Sequence, residues 1–353
     1  MKILISRENL LHNLRQYQEN YPQILIAPVL KSNAYGHGIR EVARIFDREK
    51  IAFFVVDSLY EALTLRRSGI RSKVLIMGYT SPQNIKKCRL RNVSFMIGDF
   101  EVLEALKDLK SKRKIHLKID TGMHRQGVPT SLVEAAVNLI RAQKFLELEG
   151  VCSHFADADN SDSSFTRVQV QAWNEATRTL RENFPSIKYF HLANTAGVAQ
   201  AENCNTARVG IGLYGIDTDP ARRLSLRPAL EMKSVIASLK FLEPGGVVGY
   251  GCTYKADHPI RIATVPVGYH EGVPLRLSNS GSFGAFPILG KVSMNITTID
   301  VSCSPSVKVG DEVTVISNNP SHSNSIENIA RLAGTSPYEI LAHLPAHLRR
   351  EVL

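Results

Sequence analysis

Residues 27–38 read Ala27-Pro28-Val29-Leu30-Lys31-Ser32-Asn33-Ala34-Tyr35-Gly36-His37-Gly38, an apolar run that stops at a lysine and passes into a polar, glycine-bearing turn. A short apolar run bounded by turn residues predicts a buried strand that ends at Lys31. A charged amine at the mouth of a buried strand loses solvation, which lowers its pKa and makes it available as a Schiff-base nucleophile. Parallel barrels keep their chemistry at such strand ends. Strand ends also carry many satisfied surface lysines, so position alone leaves the choice open.

Working outward, short β-branched or apolar runs alternate with segments of helical period over the first two thirds of the chain, the pattern of βα units around a parallel sheet. The predicted strands are Ile24–Leu30, Ala52–Val56, Val74–Met77, Val93–Met96, Ile115–Ile119, Leu148–Ser153, Tyr189–Leu192 and Thr206–Val209. Helical windows at Gly38–Asp47, Leu59–Ser68, Asp99–Leu109, Leu132–Ala142 and Gln169–Asn183 lie between them. Eight such strands close a TIM (β/α)8 barrel. Beyond Arg227-Pro228 the texture changes to strand-like runs broken by Gly and Pro, including Ile260–Gly268, Asn295–Val301 and Lys308–Val315, with one helical window at Ser325–Gly334. The expected class is therefore α/β: a barrel over residues 1–225 followed by a mostly β domain over 226–353. Residues 1–8 are a candidate strand added to the β domain.

Length supports two domains, because 353 residues exceed what one core usually serves. A hydrophobic content of 44% is that of a globular chain. No apolar run approaches the ~18 residues a membrane span needs, and Met1–Ser6 is too short for a signal core. A cytoplasmic protein without a membrane partner is expected. Cys88, Cys152, Cys204, Cys252 and Cys303 are odd in number and lack CxxC spacing, which argues against a disulfide framework and against a metal site. The net charge of +10 raises the question of nucleic acid. Its densest stretches, Lys86–Arg91 and Lys110–Lys114, have no interleaved aromatics, so they read as solvated helix ends and loops and no nucleic-acid partner is expected.

The strand ends carry a clustered polar set. Lys31 follows the first strand, Lys118 and Arg125 belong to the fifth strand and its exit, and His154 follows the sixth. Asn194 and Thr195 follow the seventh, and Arg208 lies in the eighth. In a parallel barrel these ends face one rim, so residues far apart in sequence converge.

Val29–Gly38 resembles the cofactor-lysine signature of the alanine racemases, and the resemblance extends from Ile5–Leu10 to Pro337–Leu341. It implies a lysine that carries pyridoxal 5'-phosphate as a Schiff base and serves as one of two catalytic bases, here Lys31, with Tyr35 as a phosphate ligand. Leu117–Gly127 is similar to the segment whose arginine, here Arg125, contacts cofactor and substrate, and Lys118 matches a lysine often found carbamylated. Gly150–Ala156 matches the strand whose histidine, here His154, lies beside the pyridine ring. His191–Gly197 resembles a phosphate-binding turn, making Asn194 and Thr195 cofactor contacts. Arg208–Gly215 resembles the segment whose arginine meets the ring nitrogen, with Gly210 and Ile211 as backbone phosphate donors. A guanidinium stays protonated and cannot hand that nitrogen a proton, which weakens the ring as an electron sink and favours prompt reprotonation.

Thr264–Gly272 resembles the segment bearing the opposite base, which makes Tyr269 that base. A phenol needs positive neighbours to act near neutrality, and His154 with Arg208 are expected to supply them. In the family this tyrosine reaches the pocket from the second subunit, so a head-to-tail homodimer with shared sites is implied. Met294 matches the position that holds the substrate carboxylate through its backbone. Three departures bear on the substrate: Asn295 stands where the pattern has an aspartate, His270-Glu271 replaces Ala-Asp, and the tail Leu344–Leu353 lacks the tyrosine usual near the C-terminus. The resemblance implies an isomerase that interconverts L- and D-alanine for peptidoglycan. A racemase of another amino acid and a non-catalytic pyridoxal phosphate-binding homeostasis protein are the alternatives.

Overall fold

The computed structural model describes residues 1–353. Two compact units divide it, one formed by Leu11–Ala34 and Val42–Leu226, the other by Met1–Leu10, Tyr35–Glu41 and Arg227–Leu353.

The first unit is a parallel barrel. Its strands are Leu25–Pro28, Phe54–Val56, Val74–Ile76, Val93–Ile97, Arg113–Asp120, Leu146–Cys152, Tyr189–His191 and Thr206–Val209, each within or beside a segment predicted from sequence. The second to seventh pair in chain order. Closure comes from the eighth strand, which pairs with the first (Thr206 with Leu25, Val209 with Pro28), and from a parallel bridge between Val29 and Val55. The Arg208 N–H completes the ring by donating to the Ala193 carbonyl at 3.1 Å. These strands are almost wholly buried, as expected where helices cover a parallel sheet on its outer face.

Register between the fifth and sixth strands is interrupted once. Ile115 pairs with Leu148 and His116 with Gly150, so Glu149 is an extra residue without a partner. Such a bulge re-aims one side chain, and the Glu149 side chain is 1% exposed.

Helix ends are capped as the sequence prescribes: Ser58, Ser81 and Asp99 accept from the N–H groups of Glu61, Asn84 and Glu101. The basic stretches turn out to include structural arginine. Arg113 donates to the carbonyls of Ile85, Lys86 and Cys88 at 2.8, 2.8 and 3.0 Å, tying down the end of the Pro82–Lys87 helix.

The second unit is mostly β. Lys2–Ile5 pairs antiparallel with Leu230–Val235 and parallel with Arg350–Val352, joining the first residues of the chain to the last. A second sheet runs in the order Ser238–Leu242, Ile260–Val265, Thr297–Asp300, Phe286–Leu289, Ser282–Phe283. Tyr35–Glu41 belongs to this unit as well, a division the sequence pattern did not announce. Its anchor is Arg350, whose guanidinium donates to the Gly36 carbonyl at 3.1 and 2.9 Å. Gly36 has φ 75° and no room for a side chain, since a Cβ would lie 2.2 Å from the Leu341 carbonyl oxygen. No helix is long and apolar enough to cross a membrane.

Candidate active site at the barrel rim

Lys31 opens a turn in which Ser32, Asn33, Ala34 and Tyr35 all have φ between 50° and 55°. Consecutive left-handed residues other than glycine are disfavoured by the clash of Cβ with the following carbonyl. The strand leading into the turn is secured by the Tyr214 hydroxyl, which donates to the Val29 carbonyl at 2.7 Å. Lys31 itself is exposed. The desolvation expected for it at a strand mouth is therefore not provided by the surrounding chain, because the turn carries the side chain out of the packed interior.

Arg208 is the opposite case, 4% exposed. Nη1 donates to His191 Nδ1 at 2.6 Å and to the His191 carbonyl, while Nη2 donates to the carbonyls of Ser153 and Leu192 at 2.6 and 3.1 Å and to His154 Nδ1 at 3.0 Å. Because a guanidinium has no acceptor, both imidazoles must present a bare Nδ1. Burial first, then the charges of Arg208, Arg125, Lys118 and Lys31, hold His154 well below the usual imidazole range. His154 is thus neutral and does not carry the positive charge expected of it. Through Arg208, the ends of the sixth and seventh strands meet the eighth, since its Nη2 reaches the Ser153 and Leu192 carbonyls and His154 Nδ1.

Lys118 is buried, and burial followed by the nearby charges of Arg125 and Arg208 lowers its pKa. Arg125 follows a tight loop in which Asp120 Oδ1 accepts from the N–H groups of Gly122 and His124 at 3.0 and 3.1 Å. Gly127 closes that loop at φ 135°, with a Cβ position 2.6 Å from the Asp120 nitrogen, so only glycine fits.

Thr195 and the start of the next turn form a cradle. Thr195 Oγ1 accepts from the Gly210 N–H at 3.2 Å and faces the Gly212 N–H at 3.5 Å, while Asn194 Oδ1 accepts from the Gly197 N–H at 3.0 Å. Asn194 therefore shapes the turn that carries Thr195. Gly212 joins Gly210 and Ile211 here without having been singled out from sequence; a Cβ on it would meet the Tyr17 hydroxyl at 2.1 Å.

The remaining candidates lie in the β unit. Tyr269 is 46% exposed and Met294 56%. Their segments are bonded to each other: Tyr269 N–H donates to the Ser293 carbonyl at 3.1 Å and His270 N–H to the Met294 carbonyl at 2.9 Å. Glu271 is buried and accepts from the Gly268 N–H at 2.8 Å and from Asn295 Nδ2 at 2.7 Å. Asn295 is thus engaged with Glu271: two of the departures noted in the sequence form one pair. The tail does lack a tyrosine, yet Tyr338 places its ring 6.1 Å from that of Tyr35. Tyr35 is buried, which pushes its phenol above the ordinary value and keeps it protonated.

Sequence reasoning missed Gln169, which donates to the His154 carbonyl at 3.0 Å and accepts from Ala156 N–H at 2.9 Å. His116, Glu149 and the ring of His191 were missed too. Their only signal is the presence of polar residues inside buried strands.

Residues 5–218 match the alanine racemase N-terminal domain family and residues 229–352 the alanine racemase C-terminal domain family. An alanine racemase of Citrifermentans bemidjiense is 36% identical over 360 residues, covering 97% of this chain and 95% of the relative. Among solved structures, an alanine racemase of Clostridium difficile 630 matches with a TM-score of 0.92 at 29% identity, covering 100% of this chain and 95% of that one. A histidine racemase of Leuconostoc mesenteroides matches with a TM-score of 0.90 at 29% identity, covering 100% and 97%. Two matched domains that together span nearly all 353 residues establish the lineage: the chain belongs to the alanine racemase family.

Proposed function

We propose that this protein is a pyridoxal 5'-phosphate-dependent racemase that interconverts L- and D-alanine in the cytoplasm, supplying D-alanine for peptidoglycan, with Lys31 and Tyr269 as its two bases. The observation that carries the reading is the saturated Arg208. Its partners engage Nη1 and Nη2, so the Nε–H is the donor left for a ring nitrogen.

The donor set fits pyridoxal phosphate. An amine at Lys31 suits the aldehyde; the Thr195 hydroxyl with the N–H groups of Gly210 and Ile211 suits the phosphate, with Tyr35 as a further phosphate ligand; Arg125 suits the ring oxygen, and His154 would hold the ring from the side. When bound, the cofactor supplies delocalisation that acidifies the Cα–H of an amino acid joined to it.

The chain's own groups then do four things. Lys31 Nζ takes or returns a proton on one face of Cα, and Tyr269 Oη does so on the other, which inverts the centre. Arg208, unable to release a proton, would leave the ring nitrogen of the bound cofactor without one and so weaken that ring as an electron sink. Arg125 and the Met294 backbone hold the substrate carboxylate. Because Tyr269 reaches the pocket from the second subunit in this reading, the working species is a head-to-tail homodimer.

Lys118 is read as carbamylated. A buried ammonium among cations is disposed to lose its proton, and the free amine adds carbon dioxide: an N–C bond forms, one proton leaves, and a cation becomes an anion beside Arg125. Carbon-13 NMR after exposure to labelled bicarbonate reports that adduct directly.

Alanine is the first substrate by the names of the matched relatives, and histidine the second by the solved racemase that matches equally over its length. The test is incubation of the cofactor-loaded protein with L-alanine and L-histidine in deuterated water. Inversion with deuterium at Cα of alanine supports the reading; no inversion of either amino acid sinks it.

A further inference from the structure

His191 does more than accept from Arg208. Its Nε2 lies 2.7 Å from His116 Nδ1, and His116 Nε2 lies 3.7 Å from Glu149 Oε2, a facing contact longer than a hydrogen bond. Glu149 in turn accepts from Ser94 Oγ at 2.6 Å, Lys73 Nζ at 2.8 Å and Lys114 Nζ at 2.9 Å. Lys73 precedes the third strand and Ser94 and Lys114 lie near the starts of the fourth and fifth, whereas His191 ends the seventh. A line of polar side chains therefore runs inside the barrel from the strand starts toward the strand ends.

We propose that Glu149 is a positioning residue for Arg208, acting through His116 and His191 in a chain whose N–H bonds all point from the guanidinium toward the carboxylate. The proposal deepens the reading of Arg208 given above and rests on it.

Donor chemistry leaves one arrangement. Arg208 can only donate, so His191 Nδ1 is bare and its proton sits on Nε2. That N–H points at His116 Nδ1, which must then be bare, so the His116 proton also sits on Nε2 and faces the carboxylate. An obligatory donor at one end and an obligatory acceptor at the other forbid the reversed set of tautomers. Remove the charge of Glu149 and the far end no longer dictates direction. The reversed set, with the His116 proton on Nδ1, His191 accepting at Nε2 and Arg208 Nη1 meeting an N–H, then carries one mismatched contact instead of two, so the tautomer preference weakens.

Three independent features make room for this line. The bulge that leaves Glu149 unpaired is what gives it a side chain in the interior. Gly150, the next residue, has no Cβ where one would stand 2.5 Å from His116 Nδ1. Phe53 closes the flank, with its ring 5.3 Å from His116, 5.5 Å from His191 and 5.0 Å from Tyr189, and Tyr189 stacks on His116 at 5.8 Å. With His116 1% and His191 0% exposed, water does not compete for these hydrogen bonds.

The experiment is nitrogen-15 NMR of histidine-labelled protein, with and without pyridoxal phosphate, on the parent and on Glu149→Gln. In the parent, both rings are expected with a protonated Nε2 and a bare Nδ1; a protonated Nδ1 on either ring overturns the proposal without reference to catalysis. In Glu149→Gln the His191 signals are expected to move although Glu149 does not touch that ring, and unmoved His191 signals overturn it. Kinetically, kcat for racemisation should fall about tenfold with KM within about twofold, the pattern of a disturbed outer partner. A shift of His191 with unchanged kcat also refutes the positioning role. Should Glu149→Gln not fold, His116→Gln cuts the chain while leaving Ser94 and both lysines on the carboxylate, and the same kcat and KM split is expected. A parent protein that shows the tautomers yet racemises nothing would condemn the functional reading and leave the relay standing.

Discussion

Arg208 is 4% exposed and commits both terminal nitrogens to partners inside the barrel, whereas Tyr269 is 46% exposed and its segment is held through main-chain bonds and the buried Glu271. Lys31 resembles Tyr269 in being exposed. The contrast separates two duties. In the proposed reading, a group whose charge must not change is buried, with both terminal nitrogens bonded to the barrel and only the Nε–H left over. In the same reading, the groups that take and give a proton are the exposed ones.

The sharpest way to break this contrast is to remove the exposed groups. Lys31→Ala and Tyr269→Phe are each expected to lower racemisation by about 10²–10⁴-fold or more while leaving the fold intact, measured by chiral chromatography and thermal melting. Mixed together, the two inactive chains should form hybrid dimers that regain activity at one site; inert hybrids would argue against sharing between subunits.

The buried side is tested by overpacking it. Gly150→Ala forces a methyl against His116 and should cost about 1–3 kcal/mol of stability, seen as a lower melting temperature; an unchanged melt would mean the interior yields more easily than its contacts imply.

Acid offers a gentler probe. His116, His154 and His191 all titrate below the ordinary imidazole value, chiefly because burial penalises their charged forms. The unfolded chain therefore binds protons that the native one refuses, and stability falls as pH drops below about 6.5, by about 1.4 kcal/mol per pH unit for each histidine. Burial alone would raise the Glu149 carboxyl, but the facing His116 Nε2 together with hydrogen bonds from Lys73, Ser94 and Lys114 holds it far below the usual carboxylate range. Its contribution is present above the unfolded carboxylate value of about 4.3 and lost below it. Melting across pH 4–7 should show a slope of more than one proton; a flat profile contradicts neutral buried imidazoles.

The smallest effect is expected at the exposed side. Asn295→Asp sets a second carboxylate 2.7 Å from Glu271, and at that distance one of the two must stay protonated. Its raised pKa costs stability as pH rises, so the variant should melt below the parent at pH 8 by the equivalent of about 1–2 kcal/mol, and the gap should close toward pH 5.

Most of the barrel was legible because each strand is a buried run bounded by turn residues, and the polar residues at its C-terminal end announce the rim. Lys31, Lys118, Arg125, His154, Thr195 and Arg208 follow from that rule alone. The interior line was not legible, since alternation along a strand says which face His116 and His191 take but not which side chain they meet across the barrel. The bulge hid Glu149 further by breaking the count. The setting of Asn295 was hidden for another reason: its partner Glu271 lies 24 positions away, and nothing in either local stretch announces the hydrogen bond between them. The departure of Tyr35–Glu41 into the β unit depends on Arg350, which no local pattern links to Gly36.

The left-handed turn after Lys31 has a further consequence. At about 1–2 kcal/mol per residue, four such residues cost an amount comparable to the whole net stability of many domains. The segment that carries the signature lysine therefore cannot remember its own shape: a free peptide of residues 27–38 would abandon the turn, and only the finished protein imposes it.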